Sequence, residues 1–196
     1  MFTGIIESLG QVKALEHDRS NVHFIVESEI SQALKIDQSV SHNGVCLTVV
    51  EVGADWHRVT AVAETLHRSN LGDWAPDTLI NLERCMTMGG RLDGHLVQGH
   101  VDDVVVCEEV LEKGGSWKFS FRFRSEHAGL LVDKGSVCLH GVSLTVISPS
   151  EDLFSVAIIP YTWEHTNFKT LRIGDKVNVE FDVLGKYIAR QMAAYR

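Results

Sequence analysis

The feature that most constrains this chain is a string that occurs twice. Gly44-Val45-Cys46-Leu47-Thr48-Val49 returns 97 residues later as Gly141-Val142-Ser143-Leu144-Thr145-Val146. Asn81-Leu82-Glu83 answers to Asn178-Val179-Glu180 at the same spacing, as do Thr65 to Thr162, Asn70 to Asn167 and Ser28-Glu29 to Ser125-Glu126. Nearer the start, Gly4-Ile5-Ile6-Glu7 matches Gly99-His100-Val101-Asp102 at a spacing of 95, so a two-residue slip lies between. Two copies of about 90 residues define a tandem pair of similar domains, because solenoid units are shorter and more numerous. The expected division is 1–87, 88–183 and a tail at 184–196.

The pattern within each copy is that of strands. Trp117 to Arg124 alternates apolar and polar strictly, Val22 to Val26 nearly so, and the repeated strings form further strands from Ser39 to Val50 and Gly135 to Val146. Val59 to Ala63, Leu79 to Met86 and Val177 to Asp182 continue in the same way, and Pro160, which has no N–H, belongs at a strand edge or end. Ser28 to Leu34 predicts a short helix capped by Ser28, with Ser125 to Leu131 as its counterpart. Short strands roughly every 8–12 residues predict an all-β fold, a closed barrel or a sandwich, repeated in tandem. The tail differs. Leu184, Tyr187, Ile188, Gln191, Met192 and Tyr195 recur at helical spacing, with Lys186, Arg190 and Arg196 on other faces. A helix this short must pack on something, either a barrel or another subunit.

Composition removes several function classes. A formal net charge of −8 argues against nucleic-acid or anionic-membrane partners, which select a basic face. The cysteines at 46, 85, 107 and 138 contain no C-x-x-C, so neither a zinc knuckle nor a redox dithiol is expected. Met1 to Glu7 carries no basic region and no long apolar run, which predicts a cytoplasmic protein with reduced thiols. Thr87 to Gly94 holds three glycines and reads as a flexible link; it has neither the P-loop lysine nor the dinucleotide pattern.

Cys46 and Thr48 share one strand face, and Ser143 and Thr145 do likewise. Such groups often satisfy internal hydrogen bonds, but their recurrence in both copies points to a shared ligand pocket. In Gly94-His95-Leu96-Val97-Gln98-Gly99-His100-Val101-Asp102 two histidines stand five apart, a spacing that suits a metal site poorly on a strand or helix; a histidine beside a glycine can approach a ligand closely and transfer protons, although a single histidine is more often structural. Glu64, Lys134, His140, Glu180 and Asp182 are the remaining polar candidates. Cys85 against Asp182, Cys46 against Ser143 and Ile5 against His100 are equivalent positions with unlike chemistry. Two related pockets with unequal groups suit two similar ligands in different roles.

Met1-Phe2-Thr3-Gly4-Ile5-Ile6, Ser41-His42-Asn43-Gly44-Val45-Cys46-Leu47-Thr48-Val49, the 94–102 stretch and Gly141 to Val146 closely resemble riboflavin synthase, and Glu64-Thr65-Leu66, Pro160-Tyr161-Thr162 and the Asn-x-Glu pairs fit too. The resemblance runs from Met1 to about Tyr187. It implies two six-stranded Greek-key β-barrels and a C-terminal α-helix, assembled as a homotrimer whose sites form between the N-terminal barrel of one subunit and the C-terminal barrel of the next. It implies a transferase that needs no cofactor and no metal. Two molecules of 6,7-dimethyl-8-ribityllumazine exchange a four-carbon unit, giving riboflavin and 5-amino-6-ribitylaminouracil. Lumazine synthase is the further partner it suggests.

Carried over by position, the resemblance puts lumazine contacts on Gly4, Ile5 and Ile6, on Cys46, Leu47 and Thr48, and on Thr60, Ala61, Val62, Ala63, Glu64 and Thr65. In the second copy it puts them on Gly99, His100 and Val101, on Lys134, on Ser143, Leu144 and Thr145, and on Ala157, Ile158, Ile159, Pro160, Tyr161 and Thr162. It implies that His100 assists proton transfer at the ring that loses a methyl proton, positioned by Ser143 and Thr145. Cys46, with Ser41 and Asp182, would serve the ring that accepts a nucleophile. The chain departs from the family pattern at His140, where an Asp is common, at Tyr161, and at Arg91 and Asp93 in the glycine run. The runner-up is a non-catalytic lumazine- or flavin-binding protein of the same fold; a barrel module acting only as a protein partner would not need the motifs in both halves.

Overall fold

The computed structural model describes residues 1–193. The first half comprises β1 (Ser8–Asp18), β2 (Asn21–Glu27), β3 (Ser39–His42), β4 (Val45–Val52), β5 (Trp56–Ala61), α1 (Ala63–Arg68) and β6 (Leu79–Arg84). The second half repeats it with β7 (Asp103–Lys113), β8 (Ser116–Arg122), β9 (Ser136–Leu139), β10 (Val142–Thr145), β11 (Leu153–Ile158), α2 (Pro160–His165) and β12 (Lys176–Phe181). A terminal helix α3 (Val183–Ala193) follows. Tyr195 and Arg196, read with that helix, lie outside the described residues.

Strands β1-β2-β5-β4-β3-β6 close into an antiparallel barrel, and β7-β8-β11-β10-β9-β12 follow the same order. Alternation along each strand fills the interiors. Val12, Phe24, Val40, Leu47, Val59 and Ile80 point into the first barrel, and Val105, Phe119, Val137, Leu144, Phe154 and Val177 into the second. Both copies even share a β-bulge near the start of the first strand, at Val12/Ala14 and Cys107/Glu109. The two-residue slip is explained by Phe123 and Arg124, which follow β8 where Glu27 runs straight into Ser28.

The second closure is thinner than the first. Pro149 stands where β4 has Val52, so β10 stops at Thr145 and no ladder continues to β11. A single bridge, Ile147 with Ser155, joins those strands through hydrogen bonds of 2.8 and 3.0 Å. The expected helix at Ser28 to Leu34 is only a 3-10 turn at Ser31–Ala33, and Ser28 accepts no more than a 3.4 Å bond from the Ile30 amide. The strand-like reading of Val59 to Ala63 ends at Ala61, where the chain turns into α1. Pro160 does follow a strand end, and there it takes the first position of α2, where a missing N–H costs nothing.

The halves meet back to back at the repeated glycines. A Cβ on Gly44 would lie 2.8 Å from the Gly141 amide nitrogen, and one on Gly141 would lie 2.9 Å from that of Gly44. Asparagines lock the contact in matched pairs. Asn43 Oδ1 accepts the Asn81 amide at 2.8 Å, and His140 Nδ1 accepts the Asn178 amide at 3.1 Å. Asn81 donates to the His140 carbonyl and Asn178 to the Asn43 carbonyl, both at 2.9 Å. The Asn70 amide bonds Asn178 Oδ1, and the Asn167 amide bonds Asn81 Oδ1. The result is an approximate two-fold axis inside one chain.

Helix α3 begins on Asp182, whose Oδ1 accepts the Leu184 amide at 3.0 Å. Lys186 Nζ, 2.6 Å from Asp102, ties its first turn to the second barrel. None of its residues is buried: Leu184, Ile188 and Met192 form an apolar stripe, and Tyr187 is exposed as well. No helix among the described residues is long and apolar enough to cross a membrane.

Gly44→Ala tests the axis. Gly44 (φ +81°) and Gly89 (φ +80°) share a left-handed backbone, but nothing lies within 4 Å of a Cβ at Gly89. Urea unfolding is expected to show about 1–2 kcal/mol lost for Gly89→Ala and at least about 1 kcal/mol more for Gly44→Ala.

Candidate functional site

Each half sends a short arm over the motif strand of the other. Residues Thr3 to Ile5 cross to the second half, where the Gly4 carbonyl accepts the Ser143 amide at 2.8 Å. Residues Gln98 to His100 cross to the first, where the Gly99 carbonyl accepts the Cys46 amide, also at 2.8 Å. The arms pair with each other through Phe2 and Val97, both fully buried. Gly4 and Gly99 have positive φ, and a Cβ on either would overlap Ser143 or Cys46 at 2.6 and 2.5 Å. Only glycine permits so close a crossing.

Two buried carboxylates hold the arms. Glu83 accepts the Thr3 amide at 2.6 Å, the Thr3 hydroxyl at 2.7 Å and the Gly4 amide at 3.0 Å. Glu180 accepts the amides of Gln98, Gly99 and His100 at 2.7, 2.8 and 2.8 Å. Burial raises the proton affinity of both carboxyls, against the pull of these donors. The equivalence of Glu83 and Glu180 therefore reflects one structural task done twice.

The arm over the first half completes a cavity of about 160 Å³ lined by Val45, Cys46, Glu64, Thr65, Arg68, Ser69, Gly99, His100 and Val101. It lies on the outer face of the barrel. Cys46 and Thr48 face outward beside it, while Leu47 fills the interior. Ser41 sits directly across from Cys46 and Glu83, covered by the second half at Gly141. Burial pushes the Cys46 thiol up, opposing thiolate formation, and Glu64 is paired with Arg68 at 2.9 Å. Thr60 is spoken for by His23 at 2.8 Å, and Val62, between β5 and α1, and Ala63, the first residue of α1, are exposed.

By the repeat, the matching surface on the second half comprises Val142, Ser143, Tyr161, Thr162 and His165 beneath Gly4, Ile5 and Ile6. Here Ser143 Oγ lies 2.6 Å from His95 Nδ1. Burial lowers the proton affinity of His95 and Asp182 opposes that effect. His95 is one of the two histidines of the 94–102 string, and it has no counterpart in the first copy. Tyr161 is exposed and stacks on His165 at 4.1 Å, in the place of the Glu64–Arg68 pair. Thr145, Ala157, Ile159, Pro160 and Lys134 are exposed, Lys134 on a positive-φ turn.

Some expected residues do not turn their side chains to the outer surface. Leu47, Leu144, Ala61 and Ile158 turn their side chains into the barrel cores, because strand neighbours alternate, and only their backbones can reach the outer surface. Within one chain His100 does not meet Ser143 and Thr145; the exchanged arm sets it beside Cys46. Asp182 likewise acts on His95 and caps α3 rather than joining Ser41 and Cys46. His140 is fully buried at the axis, where burial lowers its pKa to about 3, so it stands in for an asparagine and not for an acid. A larger cavity of about 710 Å³ beside β6 and the 87–93 link is lined by charges already paired, Glu7 with Arg84 and Arg91 with Asp93.

This fold and its repeated outer-face surface define a protein built from two lumazine-binding domains. The family model described as the lumazine binding domain matches twice, at residues 3–85 and 98–182. Riboflavin synthase of Mycobacterium tuberculosis (strain ATCC 25618 / H37Rv) is 39% identical, covering 98% of this chain and 98% of that protein. Riboflavin synthase of Bacillus subtilis (strain 168) is 35% identical over 97% of this chain and 89% of the relative. The chain belongs to the riboflavin synthase family. In structure it is similar to LumP solved with riboflavin (TM-score 0.86, 20% identity, 92% of this chain and 99% of that one) and with 6,7-dimethyl-8-(1'-D-ribityl) lumazine (TM-score 0.84, 19% identity, the same coverage), a likeness of fold.

The arms can be released one at a time. Glu180→Ala is expected to speed amide exchange at Gln98, Gly99 and His100 by about 10-fold or more while leaving Thr3 and Gly4 protected, and Glu83→Ala to do the reverse.

Proposed function

We propose that the chain is a riboflavin synthase, converting two molecules of 6,7-dimethyl-8-ribityllumazine into riboflavin and 5-amino-6-ribitylaminouracil. The observation that carries this is the repeated outer-face surface, built alike in both halves yet unlike in its reactive groups: Cys46 and His100 in one, Ser143 and His95 in the other. A reaction that consumes two copies of one molecule in different roles calls for that arrangement. Backbone amides and hydroxyls suit an uncharged ring with a polyol tail.

The first pocket is smaller than the roughly 300–1,000 Å³ usual for a ligand site, which supports a wall supplied from elsewhere. We place the Cys46–His100 face of one subunit against the Ser143–Thr145 face of a neighbour, in a trimer gathered by α3. That arrangement brings His100 to the ring held by Ser143 and Thr145, and Asp182 toward Ser41 and Cys46, across subunits. His100 then moves the methyl proton, and stacking of two rings supplies much of the rate by removing the entropy of encounter. Because burial disfavours its thiolate, Cys46 positions the accepting ring as a neutral thiol. A cytoplasmic location and an association with lumazine synthase belong to the same proposal.

Anaerobic incubation of the protein with the lumazine, followed by chromatography, is expected to give one riboflavin for every two lumazines without added cofactor. His100→Gln should lower kcat by about 10²–10⁴-fold with an unchanged melting temperature, since that side chain is exposed. Binding without turnover in the wild type would instead mark a non-catalytic lumazine-binding protein.

The trimer has its own test. Ile188, 61% exposed on α3, is the centre of the apolar stripe. Ile188→Glu is expected to convert a three-subunit species to monomers in sedimentation velocity and to abolish turnover while each monomer stays folded.

A further inference from the structure

The interior of the first barrel holds a polar chain that the second barrel lacks. Ser31 Oγ lies 2.8 Å from His57 Nδ1, His57 Nε2 lies 2.8 Å from His42 Nε2, and His42 Nδ1 lies 3.0 Å from the Val40 carbonyl. All three side chains are fully buried. At the equivalent positions of the second barrel stand Ala128, Phe154 and Leu139, so one half builds with apolar residues what the other builds with a hydrogen-bonded trio.

The partners assign the protons. A carbonyl only accepts, so His42 donates from Nδ1 and keeps a lone pair on Nε2. His57 must then donate from Nε2, and its Nδ1 accepts from the Ser31 hydroxyl. Both imidazoles are uncharged in this arrangement. One added proton goes to His57 Nδ1 and turns the Ser31 hydroxyl from donor to acceptor, and it leaves a charge in an apolar core. A second sets two N–H groups against each other across 2.8 Å and breaks the contact.

Among the described residues nothing nearby compensates a charge. The strand neighbours of His42 are Val45 and Leu82, and those of His57 are Val26 and Val52. Burial is the main cause holding both imidazoles below their ordinary range, joined for His42 by His57, with the Val40 carbonyl opposing; no carboxylate or cation contributes.

We propose that Ser31, His57 and His42 form an acid-sensitive latch inside the first barrel, closed while both imidazoles are neutral and released as they take up protons. The latch is joined to the site: His42 follows Ser41 and precedes Asn43, the hub of the axis. Release therefore loosens the half that carries the Cys46 pocket. Groups that the fold keeps neutral contribute stability that is whole above the unfolded value of 6.5 and is lost as pH falls toward the folded value, about 4 for His57. From His57 alone, opening becomes about 20-fold more frequent between pH 7 and pH 5.

The test is hydrogen exchange of the intact chain at pH 7 and pH 5, corrected for the intrinsic dependence of exchange on pH and read at the amides of β3 and β5. The wild type is expected to open about 20-fold more often at the lower pH. The variant Ser31→Ala, His42→Leu and His57→Phe, which copies the second barrel, is expected to lose most of that response. An unchanged response would overturn the latch. Should the variant fail to fold, histidine nitrogen shifts in the wild type decide: a proton on His42 Nδ1 and on His57 Nε2 at neutral pH, with neither ring charging above pH 5, supports it. Either ring titrating near 6.5 would overturn it.

Discussion

Glu83 and Glu180, each buried and each gripping backbone amides of an arm, are the contacts on which the architecture rests. Without them each arm loses its anchor to its own half and keeps only backbone contacts with the other, which leaves the outer-face pockets loosely built. Three charge-assisted bonds per carboxylate offset the cost of its burial. The same construction explains the glycines, since Gly4 and Gly99 must pass where no side chain fits. It also makes each pocket a joint product of two domains, so neither half is expected to present its site alone.

The duplication supplies geometry, and the differences between copies supply chemistry. An imidazole reaches the Cys46 pocket from the arm at His100, whereas Ser143 receives one from behind, at His95. Glu64 with Arg68 on one rim becomes Tyr161 with His165 on the other. Two identical molecules bound in such surroundings are no longer equivalent, which is the requirement for one to give and the other to receive a four-carbon unit.

Much of this was legible before the structure. Strand alternation around Cys46-Leu47-Thr48 and the doubled Gly-Val-x-Leu-Thr-Val string carried the tandem all-β fold, because period-two burial and repetition are written directly in residue order. The arm exchange was not legible. Gly4-Ile5-Ile6-Glu7 and Gly99-His100-Val101-Asp102 were legible as equivalent stretches, but sequence position does not reveal that each lies on the opposite half. For that reason His100 was expected beside Ser143 and was found beside Cys46. His140 looked like a departure in an acid and proved to be a hydrogen-bond acceptor at the axis, since Nδ1 can do there what Oδ1 of Asn43 does on the other side. The helices α1 and α2 were missed because six-residue helices give too short a window for periodicity.

A crystal structure with 6,7-dimethyl-8-ribityllumazine bound would test the exchanged-arm account most directly. The ring is predicted on the outer face of the first barrel, between Cys46 and Thr65 of that half and Gly99 to Val101 of the arm from the other. A ligand inside the barrel, or one touched by residues of a single half only, would contradict it.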